Sequence, residues 1–176
     1  MKRYILLAIT VLLTLLPLHT TAQHKQSDKG KSEVEKFIQR VSRIKSPEID
    51  YAYISTNMFK QMFAMVEKHI EGIEVDNVFG SIKSVRRFET TGKEGYTTLT
   101  TALQPFLQED EQVMGMELMA LNREDGELSV IYSDNKSLLV IGDDNDETLN
   151  VVFIVGLSYE AFIKISSNSI DGLPLF

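Results

Sequence analysis

"ELSVIYSDNKSLLVIGDDNDETLNVVFIVG" (residues 127–156) decides the fold. It holds three runs rich in β-branched residues, 127–134, 137–143 and 148–156. Short stretches of Asp, Asn, Lys and Glu separate them, and Asp and Asn favour turns. A fourth run, 111–122, comes before, and "EDGE" (124–127) places Asp-Gly, a hairpin-forming pair, between it and the next. Parallel strands need a crossover of about a dozen residues or more, which these connections are too short to supply. Four consecutive strands joined in this way form an antiparallel meander.

Upstream, helices and strands alternate. Ser32 and Glu35 match a capping box, and Val34, Phe37, Ile38, Val41 and Ile44 recur at helical spacing until Ser46-Pro47. "EIDYAYIS" (48–55) reads as a strand. Over 57–70 the spacing predicts a helix with Met58, Phe59, Met62, Phe63, Met65, Val66 and Ile70 in a wide stripe, closed by Gly72. "SIKSVRRFET" (81–90) alternates as a strand. Thr91 and Glu94 match a second capping box for a helix to about residue 108, which Pro105 kinks or ends. The strand over 111–122 puts Met114, Met116, Leu118 and Ala120 on one face. Ser158 caps a last helix carrying Ala161, Phe162 and Ile165. The expected class is α+β: a mostly antiparallel sheet with a four-strand C-terminal meander and helices packed on one face.

The first 22 residues read as a secretory signal peptide. A basic start, Lys2-Arg3, precedes a charge-free run from Tyr4 to Leu18, and Thr20-Thr21-Ala22 suits cleavage after Ala22. The run is about 15 residues, short of the ~20 that span a bilayer. The organisation expected is signal peptide 1–22, polar leader 23–31, one α+β domain over 32–170 and a tail over 171–176. With no cysteine anywhere, the domain is held by its core alone, and thiol nucleophiles and thiolate metal sites are excluded. Residues 101–176 contain 3 basic and 14 acidic residues, a poor match for nucleic acid. The predicted product is exported, periplasmic or extracellular, and not stably inserted in a membrane.

The Met/Phe helix after a Tyr-rich strand (51–66), "SIKSVRRFE" (81–89) and the hairpins over 131–156 together carry a resemblance. The chain resembles domain-of-unknown-function family 4252, small exported and lipid-anchored envelope proteins of Bacteroidetes. The resemblance implies an envelope location. It implies no reaction and no site residues.

Three groups of residues are candidates for binding. Met58, Met62 and Met65 lie on one side of a helix, where thioethers fill a core, make an adaptable groove or hold Cu(I). The core reading is favoured, because exposing such a stripe forfeits ~1.5–3 kcal/mol per side chain. Lys83, Arg86 and Arg87 form a basic cluster suited to phosphate or carboxylate, or to guarding a sheet edge. Asp143, Asp144, Asn145, Asp146 and Glu147 offer Ca²⁺ oxygen ligands, although neither start fits the EF-hand spacing and turn formation explains the run. His69 falls on the polar edge of its helix. No Gly-x-Ser-x-Gly, His-Glu-x-x-His, P-loop or Gly-x-Gly-x-x-Gly occurs. No cofactor and no catalytic residue is expected. The expected function is a non-catalytic module that binds an envelope protein or a small ligand. Alternatives are a contact component of an envelope stress or signalling system, and a hydrolase built on paired carboxylates.

Overall fold

The protein is described by a computed structural model over residues 31–67, 81–124, 126–144 and 148–168, with the side chains of 62–67 and 164–168 excepted. The chain runs α1 (Glu33–Val41), β1 (Ile49–Ser55), α2 (Thr56–Glu67), β2 (Ser84–Thr90) and α3 (Lys93–Leu107). It continues through β3 (Gln112–Val113), β4 (Met116–Glu124), β5 (Glu127–Ser133), β6 (Ser137–Asp143) and β7 (Leu149–Val155) to α4 (Tyr159–Asn168). All seven strands lie in one antiparallel sheet of order β1-β2-β7-β6-β5-β4-β3.

Local signals account for the helix starts nearest the ends of the domain. At α1 both halves of the Ser32–Glu35 capping box form. Ser158 Oγ accepts the Ala161 N–H at 3.2 Å and starts α4. Val34, Ile38 and Val41 face inward at helical spacing.

The helices cover both faces of the sheet, which corrects the expectation that they share one. On one face α1 and α3 bring Val34, Ile38, Leu99, Leu103 and Phe106 onto Phe88, Val151, Phe153 and Tyr132. Phe106 joins the layers, with ring centroids 5.6 Å from Phe37 and 5.2 Å from Tyr132. On the other face Phe59 of α2 and Phe162 of α4 meet Ile54, Val85, Val140 and Val152. The reason lies in β6 and β7, whose side chains are apolar on both sides. A one-sided cover would leave Leu138, Val140 and Val152 in water.

The expected strand over 111–122 is also corrected. Met114 (φ 50°) and Gly115 (φ 78°) make a tight turn, so β3 folds back on β4. A bulge between Leu118 and Ala120 then adds one residue to β4. Met116 and Leu118 therefore face the α1/α3 core, whereas Ala120 faces the α2/α4 core. The helix expected over 57–70 is α2, and its last predicted turn, with His69, lies outside the described residues.

The Thr91–Glu94 capping box does not form, and this is a third correction. The N-cap is Gly92, with no side-chain cap bond. Instead the Glu48 carboxylate, entering from the start of β1, accepts the Gly95 N–H at 2.9 Å. The Glu48 carbonyl accepts the Thr91 N–H at 2.9 Å. A carboxylate at a helix N-terminus gains from the free amides and the helix dipole. Gly92 and Gly95 leave the space: a Cβ at Gly95 would overlap the Glu48 backbone carbonyl, and one at Gly92 would crowd its carboxylate.

Two substitutions test this docking. Glu48→Gln should cost about 1 kcal/mol. Gly95→Ala should cost at least about 2 kcal/mol, because backbone must move to admit the methyl. Urea denaturation of both variants measures this, and equal stability of Gly95→Ala and wild type would contradict the close approach.

Candidate functional site

The alternation of side chains along a strand separates the basic cluster. Arg86 lies on the α1/α3 face, where its guanidinium stands 5.2 Å from the Tyr53 ring centroid. Arg87 lies on the opposite face and pairs with Glu89. Lys83 precedes β2 with an exposed side chain, while its backbone N–H donates to the Val155 carbonyl at 2.7 Å. Its carbonyl accepts the Thr56 hydroxyl at 2.6 Å. The three cations thus do not converge.

Met58 is half-buried against the α2/α4 core. The side chains of Met62 and Met65 lie outside the described residues. In the acidic run, Asp143 is buried and both its carboxylate oxygens are within 3.1 Å of the Tyr96 hydroxyl, which donates. Asp144 closes the β6–β7 turn: its Oδ1 accepts the Thr148 N–H at 3.1 Å. Asn145, Asp146 and Glu147 lie outside the described residues. Among the described residues, no three His, Cys, Asp or Glu side chains are grouped to hold a metal ion.

The sequence reading missed a different surface. Beyond its two-residue pairing with β3, β4 has no strand on its outer side among the described residues. Met119 and Leu121 on this edge are 39% and 44% exposed, and Ile163 on α4 is 37% exposed. They account for three of the four large apolar residues exposed among the described residues, Tyr51 being the other. Met119 lies toward Tyr159 and Glu160 of α4, and the bulge after Leu118 puts Leu121, opposite Val130, on the other face of the sheet. Beside Met119 lies a recess of about 170 Å³ lined by Glu117, Asp134, Tyr159 and Glu160. Carboxylates continue along the edge at Glu111, Glu124 and Glu127, and Glu109 is paired with Arg123. The acidic C-terminal half was legible in the sequence; its gathering on an open sheet edge was not.

Residues 44–158 match the family described as Domain of unknown function (DUF4252). The chain belongs to DUF4252. The match takes in every strand of the sheet and ends at the cap of α4. The DUF4252 match therefore includes the β4 edge and Arg86, and leaves out α1 and α4 entirely. No curated protein and no solved structure matches the chain. Among the described residues, no helix is long and apolar enough to cross a membrane.

Two tyrosine hydroxyls, that of half-buried Tyr96 and that of buried Tyr132, hold their protons more tightly than free tyrosine does. Burial, then the Asp143 carboxylate, pushes the Tyr96 hydroxyl above its ordinary value. Burial, then Asp110 and Glu109, does the same to Tyr132, whose hydroxyl donates to the Asp110 carbonyl at 3.1 Å. A raised folded value means that the unfolded chain loses these protons first. The stability they contribute is intact below about pH 10 and is lost as pH rises through the folded values. Tyr96→Phe should be less stable than wild type near neutrality by about 1 kcal/mol and should lose less on going to pH 11. Chemical denaturation at pH 7, 10 and 11 measures both, and parallel pH profiles would contradict the assignment.

Proposed function

We propose that this protein is an exported, non-catalytic binding module of the cell envelope, which holds a partner protein along the outer edge of β4. One observation carries the reading: Met119 and Leu121 are exposed together on an open sheet edge, with carboxylates along it. An open strand offers unpaired N–H and C=O groups, and a second chain can add to it as a further strand. Side chains that alternate along the added strand would meet Leu121 on one face of the sheet and Met119 on the other. The acidic rim suits a partner segment carrying Lys or Arg, whose charge also speeds encounter. The opposite edge, β1, exposes only Tyr51 among large apolar residues and lies beside Arg86 and Arg87. Export rests on the signal-peptide pattern over residues 1–22.

Photo-crosslinking amino acids at Met119, Leu121 and the exposed Lys60 of α2, in the native host, test the reading. The expected result is one discrete adduct from positions 119 and 121 and none from 60, weakened when Glu117 and Glu124 are changed to Gln. Equal labelling at all three positions, or none, would overturn it. Intact mass of the exported chain should start at Gln23; retention of residues 1–22 would contradict export by cleavage.

A further inference from the structure

The recess beside Met119 lies where three parts of the chain meet. β4 contributes Glu117 and Met119, the turn between β5 and β6 contributes Asp134, and the start of α4 contributes Tyr159 and Glu160. Its volume of about 170 Å³ is far above the ~10–15 Å³ that admits one water, so it has room for the head group of a side chain. Three of the side chains that line it are carboxylates.

The hydrogen-bond chemistry of the lining agrees with its charge. Ser133 lines the recess, is 5% exposed, and gives its hydroxyl proton to the Ser137 carbonyl at 3.0 Å. What it has left to offer is lone pairs. Asp134 Oδ1 accepts the Lys136 N–H at 3.1 Å, which sets the carboxylate in its turn. A carboxylate accepts at up to about four positions, so Asp134 keeps capacity for a ligand. Glu117 stands on the same face of the sheet as Ser133, because the two are paired across β4 and β5. The recess therefore presents acceptors, and the occupant that fits is a cation with several donors.

The carboxylates belong to separate elements, and among the described residues they are not grouped to hold a metal ion. A guanidinium meets such spread acceptors, since its five N–H donors radiate in one plane. The Tyr159 ring and the Met119 thioether give apolar wall for the face of the cation and for its stem.

We propose that the recess receives an arginine side chain of the strand that adds to β4. This rests on the β4-edge reading and names a residue the partner must carry. Met119 belongs both to the pairing strand and to the recess, so the arginine enters from a partner residue whose side chain points to the α4 face of the sheet. A lysine brings the same charge as a point and satisfies fewer of the acceptors.

NMR titration of residues 23–176 with methyl-labelled methionine tests the proposal, using the Nα-acetyl amides of arginine, lysine and citrulline as probes. The Met119 methyl resonance should move saturably with the arginine probe, at higher concentration with the lysine probe, and not with citrulline, which keeps the shape and lacks the charge. Asp134→Asn with Glu160→Gln should weaken the arginine probe by about tenfold or more, and Glu160→Gln alone decides the matter if the double variant does not fold. Glu124→Gln, on the same edge but outside the recess, should leave the affinity unchanged. No saturable movement of Met119, an equal response to citrulline, tighter binding of lysine, or equal weakening by Glu124→Gln overturns the proposal. The probes need no partner, so the two readings fail separately. A crosslinked adduct from positions 119 and 121 without probe binding removes the recess and leaves the edge, whereas probe binding without an adduct removes the partner strand.

Discussion

The constraint on which the structure depends is the two-sided burial of β6 and β7. Leu138 and Val140 of β6, with Val152 of β7, project into one core. Leu139 and Ile141, with Val151 and Phe153, project into the other. Each of these side chains gains ~1.5–3 kcal/mol from burial, so neither face can be left to water in a domain of ordinary net stability. The helices must therefore form two layers. The chain supplies them by alternation, α1 to one face, α2 to the other, α3 back to the first and α4 to the second. Because the inner strands have both faces and both edges occupied, the open edges are where the sheet remains accessible to another chain.

Connections that cross between layers need firm anchors, and these are backbone approaches. Glu48 stands at the entrance to β1 and binds the first turn of α3 through its carboxylate, at a point where two glycines leave room for it. Gly156 does the equivalent work after β7. Its N–H donates to the Lys136 carbonyl at 2.6 Å, and a Cβ there would overlap the Ser81 carbonyl. Its φ of +93° also suits glycine alone among ordinary residues. Such contacts fix the chain closely at the sheet ends.

The two ends of the sheet differ in charge as well as in cover. Glu111, Glu117, Glu124 and Glu127 stand toward β3 and β4, whereas Arg86 and Arg87 stand toward β1. An edge with exposed apolar side chains usually carries a device against indiscriminate pairing. Here the bulge in β4 and the carboxylates along the edge are devices of that kind. The buried Arg86 represents a different use of charge. It is enclosed, stacked on Tyr53, and set among hydroxyls at the corner of a core.

By itself the sequence determined what depends on neighbours a few residues away. The capping box at Ser32, the cap at Ser158, the short turns between β5, β6 and β7 and the apolar faces of the helices all follow from local hydrogen bonds and periodicity. The unbroken apolar runs of residues 138–141 and 151–155 suit a sheet covered on both faces, but the expectation drawn from the sequence was cover on one face, and the structure corrected it. Tertiary structure alone decided the rest. The pattern at Thr91 and Glu94 satisfied the rule for a capping box, yet a carboxylate from Glu48 took its place. The bulge at Leu118–Ala120 reversed the facing of Ala120 without any local mark. Arg86 and Arg87, adjacent in sequence, parted to opposite cores. Each outcome depends on which distant surface arrives, and a linear pattern does not record the arrival of a partner 47 residues away.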